Sequence, residues 1–202
     1  RLLERSPPLV EERGGGSLTA LPIIETQAEN ISSYIPTNLI SITDGQIYLS
    51  PQLYRQAVLP PVDVGKSVSR VGGKTQAPAY RAVAGDLRLA YSQFEELEIF
   101  ARFGVQLDED TRRRLERGRR VREILKQPQY SPIPTAEQIM VLVVLNRGVF
   151  DSIATTEISA AKAAVRAKGR DELSELFDKI DRGEKLTPED IDRICAAIRE
   201  LR

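Results

Sequence analysis

The sequence predicts an α/β segment followed by an all-α segment, and three observations support this division. Short apolar runs rich in Ile, Leu and Thr fill residues 17–64, separated by turn-forming prolines and by Asp44-Gly45. These runs are nearly continuous, as in the strands of a parallel sheet that is covered on both faces. From Ala77 onward, apolar residues recur at the spacings of an amphipathic helix. We therefore predict two domains, 1–76 and 77–202.

The first domain is expected to begin with a flexible glycine loop and to continue with short strands. The loop is Gly14-Gly15-Gly16, where glycine permits backbone angles that other residues avoid. The strands are predicted where the apolar runs LTALPII (18–24), NLISIT (38–43) and QIYLS (46–50) occur.

The second domain is expected to form a helical bundle. Its first helix is predicted over 79–103, where large apolar residues make one stripe and Gly104 is the C-cap. An arginine-rich helix follows, with acids at its start as the helix dipole favours, and a proline-rich stretch ends it. The remaining helices are predicted at 135–146, 157–167, 171–180 and 188–201, the last with Thr187 as N-cap before Pro188.

Composition excludes several classes of function. The 202 residues include 29 basic and 29 acidic side chains and no histidine, so net charge offers no argument for nucleic acid or an anionic membrane as a partner. Without histidine, Ser-His-Asp and Cys-His catalysis are impossible, and the one cysteine, Cys195, excludes an internal disulfide and indicates a reducing compartment. The longest apolar run, 139–145, is far shorter than the roughly 18 residues of a membrane span. Because the chain opens on Arg1, within RLLERSPPL, we expect it to be a fragment of a longer protein.

Gly65-Lys66-Ser67 looks like the end of a phosphate-binding P-loop, but the rest of that motif is missing. The pattern G-x-x-x-x-G-K-[S/T] requires a glycine where the sequence has Pro60. Proline lacks the N–H that a phosphate cradle needs. The sequence therefore excludes a P-loop at this position.

Residues 178–189 imitate a calcium-binding loop. Asp178, Gly183 and Glu189 fall at positions 1, 6 and 12 of an EF-hand, but Ile180 and Arg182 occupy positions that need oxygen ligands. We interpret the segment as a helix–turn–helix connection, and we expect no metal site in this chain.

The arginine run TRRRLERGRRVR could grip phosphates, or it could be a solvated or intersubunit helix face. Acids flank the run on both sides, and no aromatic residue interleaves it for base stacking. The second interpretation is therefore favoured, and we expect no nucleic-acid partner.

Arg70 stands in SVSRVGG, among small residues that leave it accessible. Read from the residues alone, it is either an ordinary exposed arginine, as most arginines are, or an arginine delivered to an anion in another subunit. Without histidine, any chemistry in this chain must rely on carboxylates, arginine, lysine, hydroxyls or backbone groups. The residues alone do not decide between the two interpretations of Arg70.

Three longer stretches resemble one protein family. The segment GGGSLTALPIIETQAENISSYIPTNLISITDGQIYLS is very similar to the segment after the core ATPase motifs in α subunits of rotary F-type ATP synthases. VGKSVSRVGG resembles that family's arginine-finger loop, and ILKQPQYSPIP its adenine-side glutamine loop. The resemblance runs from Arg1 to about Asn146 and continues to Arg202 as helical pattern only.

The resemblance implies a fold, a complex and a reaction. The fold is the C-terminal part of a RecA-like parallel-sheet nucleotide-binding domain, followed by a C-terminal helical bundle. The complex is an α/β hexamer around a rotating γ shaft, held by a peripheral stalk at the cytoplasmic face of the bacterial membrane or its organellar equivalent. The reaction is proton- or sodium-coupled synthesis and hydrolysis of ATP, with ATP or ADP and Mg²⁺ bound by the full subunit. The isolated fragment is expected to be inactive and to hold no cofactor.

The resemblance also implies roles for single residues. Arg70 matches the arginine finger that acts in trans on the β catalytic site, and Ser41 and Val68 match positions at that interface. Gln127, Gln129 and Tyr54 match the adenine side of the non-catalytic nucleotide site on α itself.

The sequence departs from the family near that non-catalytic site. Leu59 stands where the family has an arginine, Pro60-Pro61 replaces a Pro-small pair, and Lys66 stands at a leucine position. Two alternatives stay open: a subunit of a related hexameric motor ATPase, and a non-enzymatic helical interaction module.

Overall fold

The computed structural model describes residues 3–101 and 107–199. Its regular elements, in chain order, are α1 (Tyr34–Ile42), β1 (Gly45–Gln46), α2 (Pro51–Arg55), β2 (Val68–Ser69), α3 (Pro78–Ala101), α4 (Glu109–Leu125), α5 (Thr135–Asn146), α6 (Ile158–Glu172), α7 (Ser174–Asp181) and α8 (Pro188–Arg199). Short 3-10 helices cover Leu3–Arg5, Glu11–Arg13, Gln27–Glu29, Gly72–Lys74, Val149–Ser152 and Thr155–Glu157. An α/β segment followed by a helical bundle is confirmed.

The predicted strands of the first domain are mostly wrong. Residues 38–42 lie in α1, which Ser33 precedes in extended conformation, and Pro36 stands in its first turn, where proline is tolerated. A short apolar run has no periodicity that separates a strand from a buried helix, so this segment could not be assigned by pattern alone. Residues 18–24 form no regular element, and Ile23 is 97% exposed.

The two strands in the described part of the chain are antiparallel, not parallel. Gly45 lies opposite Ser69, and Gln46 lies opposite Val68. An isolated bridge between Leu49 and Val62 extends the pairing toward the predicted third run. The pair is short, but it fixes the start of the segment that carries Arg70.

Helix α5 is the centre of the bundle. Its run from Ile139 to Leu145 is buried on every side, as expected for a helix that is apolar all round. It contacts α3, α6, α7 and α8, so the C-terminal helices pack around it. The prediction that this run is a buried helix is confirmed, and in the described part of the chain no helix is long and apolar enough to cross a membrane.

The ends of the helices follow local chemistry. The predicted helix 79–103 is observed as Pro78–Ala101, while Phe103 and the expected cap Gly104 lie outside the described residues. Helix α4 begins after Asp108, whose carboxylate accepts a hydrogen bond from the Thr111 N–H at 2.6 Å. The predicted cap of the last helix is confirmed, because the Thr187 hydroxyl accepts from the Asp190 N–H at 3.2 Å.

Gly118 allows α3 and α4 to approach closely. A Cβ atom at this position would lie 2.1 Å from Cγ and Cδ2 of the buried Phe94 ring. The guanidinium of Arg122 covers the same ring at 4.6 Å from its centroid, and it donates two hydrogen bonds to Glu98 at 2.8 and 3.0 Å. Two helices therefore meet at one aromatic ring that has no spare volume.

Replacing Gly118 with alanine is expected to lower the free energy of unfolding by about 2 kcal/mol, because the methyl group forces Phe94 off its rotamer. Gly85 is the matched control, since it is also inside a helix but has no atom within 4 Å of its added Cβ. Gly85→Ala is expected to raise stability by about 0.5–1 kcal/mol through helix propensity. Urea unfolding measures the change in the free energy of unfolding in both variants, and equal changes would contradict the packing argument.

Candidate functional site

The arginine loop, defined here as residues 63–73, holds Arg70 against the end of α1. The Arg70 backbone N–H donates to the Asp44 carbonyl at 2.8 Å. In the side chain, Nη1 donates to the Ser41 carbonyl at 3.1 Å and Nη2 to the Ile40 carbonyl at 2.8 Å. These carbonyls belong to the last turn of a helix, where backbone oxygens lack helical partners and the dipole favours a cation. The guanidinium is anchored there while the residue itself is exposed.

The structure brings two of the residues singled out from the sequence, Arg70 and Ser41, into contact. Ser41 contacts Arg70 through its carbonyl, while its own hydroxyl donates back to the Asn38 carbonyl at 2.7 Å. Val68, in β2, is 45% exposed and lies two positions before Arg70. The Arg70 guanidinium thus lies at the end of α1, and Val68 is exposed on the strand that leads to it.

Gly45 makes this arrangement possible. Its φ is +146°, and an added Cβ would lie 2.1 Å from the Val68 carbonyl oxygen. Any side chain at this position would push β2 away from β1, and Arg70 would move with it. The sequence indicates Asp44-Gly45 only as a turn, and no local pattern shows that Gly45 also supports the arginine loop.

The base of the arginine loop is organised around a carboxylate. Asp63 Oδ1 accepts from the Lys66 N–H at 2.9 Å, and Lys66 Nζ lies 3.7 Å from Asp63 Oδ2 and 4.7 Å from the centroid of the Tyr48 ring. The Ser67 hydroxyl accepts from the Tyr48 N–H at 3.0 Å. A carboxylate occupies the place where a P-loop would hold phosphate, and a strand rather than a helix follows. The segment therefore has neither the first glycine of the P-loop motif nor the helix that follows one.

The arginine loop also approaches α3. An added Cβ on Gly65 would lie 4.0 Å from Glu95 Oε2, so the loop backbone passes beside that carboxylate. Burial, and then the neighbouring Asp63 charge, raise the pKa of Glu95. Tyr48 supports the loop through the Ser67 hydroxyl, 19 residues further along the chain, and no local pattern in the sequence indicates this contact.

The glutamine loop, defined here as residues 126–134, approaches the segment after α2. The Gln127 N–H donates to the Leu59 carbonyl at 2.9 Å, and its Nε2 donates to the Ser131 carbonyl at 2.7 Å. Gln129 is exposed, and Tyr54 in α2 is 66% exposed. The structure therefore links Gln127 to the segment that follows Tyr54, while Gln129 and Tyr54 lie on the surface.

Side chains of these chemical types can recognise a purine base. Amide groups can donate to and accept from a base edge, and an exposed phenol ring can cover a base face. Leu59 contributes its carbonyl to Gln127 but no positive charge, so the cation that the resemblance implies at this position is missing. The fit is to the base only, because the Gly65-Lys66-Ser67 segment is shaped around Asp63 and not around phosphate.

Residues 178–189, which match three positions of an EF-hand loop, form the end of α7, the connection to α8 and the start of α8. Arg182 Nε lies 2.7 Å from Glu184 Oε1, and Asp190 accepts from Lys179 and from the Thr187 N–H. Gly183 has a φ of +77°, which glycine adopts readily in a turn. Within residues 3–101 and 107–199, no group of three or more acidic, histidine or cysteine side chains is placed to hold a metal ion.

The arginine run lies on α4 and divides between protein contacts and solvent. Arg113 lies 3.1 Å from Asp110, Arg122 is paired with Glu98, and Arg120 donates to the Ile153 carbonyl at 3.2 Å. Several of these arginines serve packing, and the others are exposed. This distribution agrees with a solvated helix face.

Comparison with known proteins gives consistent matches along the chain. Residues 76–201 match the family model described as ATP synthase alpha/beta chain, C terminal domain, and residues 1–69 match ATP synthase alpha/beta family, nucleotide-binding domain. A protein named ATP synthase subunit alpha 2 from Syntrophus aciditrophicus is 62% identical over 98% of this chain and 38% of its own length. A protein of the same name from Syntrophotalea carbinolica is 65% identical over 95% of this chain and 37% of its own length.

The chain thus spans less than two fifths of the length of these curated relatives. The resemblance to α subunits and the fold class, a nucleotide-binding domain end followed by a helical domain, are confirmed. The boundary between residues 76 and 77, and the roles of Arg70, Ser41, Val68, Gln127, Gln129 and Tyr54, stay predictions. Since one family model alone covers more than half of the sequence, the chain belongs to the ATP synthase alpha/beta family.

Proposed function

We propose that this chain is the C-terminal part of a regulatory and structural α-type subunit in the head of an ion-translocating ATP synthase, and that Arg70 acts in trans in a catalytic site of the β subunit. The observation that carries the proposal is the position of the guanidinium. It is exposed, and backbone carbonyls of Ile40 and Ser41 anchor it beside Val68. The match to relatives named as alpha subunits supports the same assignment.

The chemistry follows from the properties of arginine. Phosphoryl transfer spreads negative charge over the transferring oxygens, and a permanently protonated guanidinium stabilises that charge. A guanidinium has more N–H donors than the two carbonyl bonds use, so it can meet a phosphate while its anchor remains near. Supply from a neighbouring subunit makes turnover depend on how the two subunits are placed.

Gln127, Gln129 and Tyr54 are proposed to contact the adenine of a nucleotide bound by the α-type subunit itself. That nucleotide arrives as a Mg²⁺ complex, and the phosphates and the metal are held by parts of the subunit outside this chain. Because Leu59 offers no cation, we expect weaker nucleotide binding here than in subunits with arginine at this position. The proposed partners are β subunits, a central γ shaft and a peripheral stalk, with the complex peripheral to the membrane at its cytoplasmic face.

A reconstitution experiment tests the proposal. The full-length subunit that contains this chain is purified alone and mixed with the β-type subunit of the same organism. We expect ATP hydrolysis from the mixture at a rate far above that of either subunit, because each catalytic site needs groups from both. Hydrolysis by the α-type subunit alone at the rate of the mixture, or a mixture no faster than β alone, would contradict the assignment.

A further inference from the structure

Lys162 holds the end of helix α4 from a neighbouring helix. It lies in α6, and its Nζ donates to the carbonyl oxygens of Ile124 and Lys126, each at 2.7 Å. These carbonyls belong to the last turn of α4 and to its C-cap, where helical partners are missing. A cation at the C-terminal end of a helix also interacts favourably with the dipole. Lys162 therefore acts as a cap supplied from 36 residues further along the chain.

Partial burial of the Lys162 ammonium group costs free energy of hydration, so its two hydrogen bonds are needed to hold it at this position. Burial, and then the nearby Arg166 charge, lower the pKa of Lys162. The two carbonyl bonds offset the loss of hydration that burial imposes. A fully exposed lysine would not lose this hydration, so we attribute the position of Lys162 to its bonds with the end of α4.

The capped carbonyls lead directly into the glutamine loop. Lys126 is the residue before Gln127, whose N–H donates to the Leu59 carbonyl at 2.9 Å. A surface cavity of about 160 Å³ lies beneath the loop and is lined by Tyr80, Gln127, Gln138 and Lys162 among others. Across this space, the two bonds of Lys162 join α6 to the start of the loop.

We infer that Lys162 is a positioning residue for adenine recognition, which holds the first residue of the glutamine loop so that Gln127 faces the base. This inference rests on the proposed role of the glutamine loop. In this inference Lys162 contacts the protein backbone and not the nucleotide. It acts through the carbonyls of Ile124 and Lys126, and so it affects the base-recognising amide more than the rest of the nucleotide site.

The test compares two nucleotides in the full-length subunit that contains this chain. Equilibrium dialysis gives the dissociation constants of ATP and of inosine triphosphate, which differ at the base edge. Lys162→Met removes both hydrogen bonds, and we expect ATP affinity to fall about tenfold, the worth of one well-formed hydrogen bond, with little change for inosine triphosphate. Lys162→Arg keeps the donors and is expected to bind ATP within about twofold of wild type.

A control variant and a second measurement make the outcomes decisive. Lys185→Met removes an exposed lysine before α8 and is expected to change neither constant. Hydrogen exchange at the Gln127 amide is expected to accelerate in Lys162→Met but not in Lys185→Met. If Lys162→Met does not fold, Lys162→Gln is measured in the same way.

Each outcome separates the two hypotheses. Wild-type protein that binds both nucleotides equally, or neither, overturns the proposed adenine site and the inference with it. Wild-type protein that prefers ATP while Lys162→Met keeps the same preference overturns the positioning role alone. An equal loss for both nucleotides in Lys162→Met also overturns it, since that pattern indicates general destabilisation.

Discussion

Replacing Arg70 with alanine in the assembled enzyme is expected to reduce steady-state ATP turnover by about 10³-fold or more, while the β subunit still binds nucleotide. An arginine supplied in trans acts on charge that develops in the transition state, and such groups contribute about 10³ to 10⁵ in rate. Ground-state binding involves less of that charge, so the dissociation constant of the nucleotide should change little. Turnover is measured as phosphate release, and binding is measured separately by equilibrium dialysis.

Arg81 provides the matched control for this experiment. Its Nη2 donates to the carbonyls of Lys74 and Gln76 at 3.2 and 3.3 Å, so it also anchors on backbone carbonyls at an exposed turn. Arg81→Ala is expected to leave turnover within about twofold of wild type, because no transition-state role is proposed for it. Arg70→Lys keeps the charge but loses the planar fork, and an intermediate rate is expected. Near wild-type turnover in Arg70→Ala would rule out the finger assignment.

Replacing Glu137 with glutamine is expected to lower the free energy of unfolding by about 3 kcal/mol. Glu137 lies on the buried helix α5 at 3% exposure and accepts from Arg166 Nε and from Arg170 Nη1, the latter at 2.7 Å. Glutamine keeps one acceptor oxygen but turns an NH₂ donor toward the second arginine, and both guanidinium groups lose their counter-charge beside the core. Urea unfolding at pH 7 measures the loss.

The same carboxylate predicts a dependence on pH. Burial opposes ionisation of Glu137, but the hydrogen bonds from Arg166 and Arg170 outweigh it, so the pKa is lowered in the folded protein. The pKa of a glutamate in an unfolded chain is about 4.3. The stabilisation is therefore complete above about pH 4.3 and is lost as the pH falls through the lower folded value. We expect the difference in the free energy of unfolding between wild type and Glu137→Gln to become smaller in that acid range.

Glu172→Gln is the control for both measurements. Glu172 is 53% exposed and pairs with Lys168 at 3.7 Å on the same helix, a geometry worth about 0.5 kcal/mol or less. A loss in Glu137→Gln as small as in this control would mean that the buried carboxylate does not hold α5 to α6.

The helical half could be predicted because its signals are local. The all-round apolar run of α5 and the Thr187 cap depend on neighbours within one or two turns, and the structure confirms both. The segment 38–42 could not be assigned, since a short apolar run carries no period that distinguishes strand from helix.

The residues of the candidate site could be identified from the sequence, but the contacts between them could not. The sequence indicates Arg70 and Ser41 separately, through resemblance, whereas their contact joins atoms 29 residues apart. Gly45 read as an ordinary turn residue, because nothing local indicates that Val68 will lie against it. Lys162 gave no signal at all, since its partners are backbone carbonyls, which every residue has.

The anchor of Arg70 has an electrostatic consequence. The Ile40 and Ser41 carbonyls are neutral dipoles, so they orient the guanidinium without cancelling its charge. A carboxylate in their place would form an ion pair that dissolved salt weakens and that a phosphate would have to break. Held by dipoles, the side chain keeps its whole field for an arriving anion, and its resting orientation should be nearly the same at low and high ionic strength.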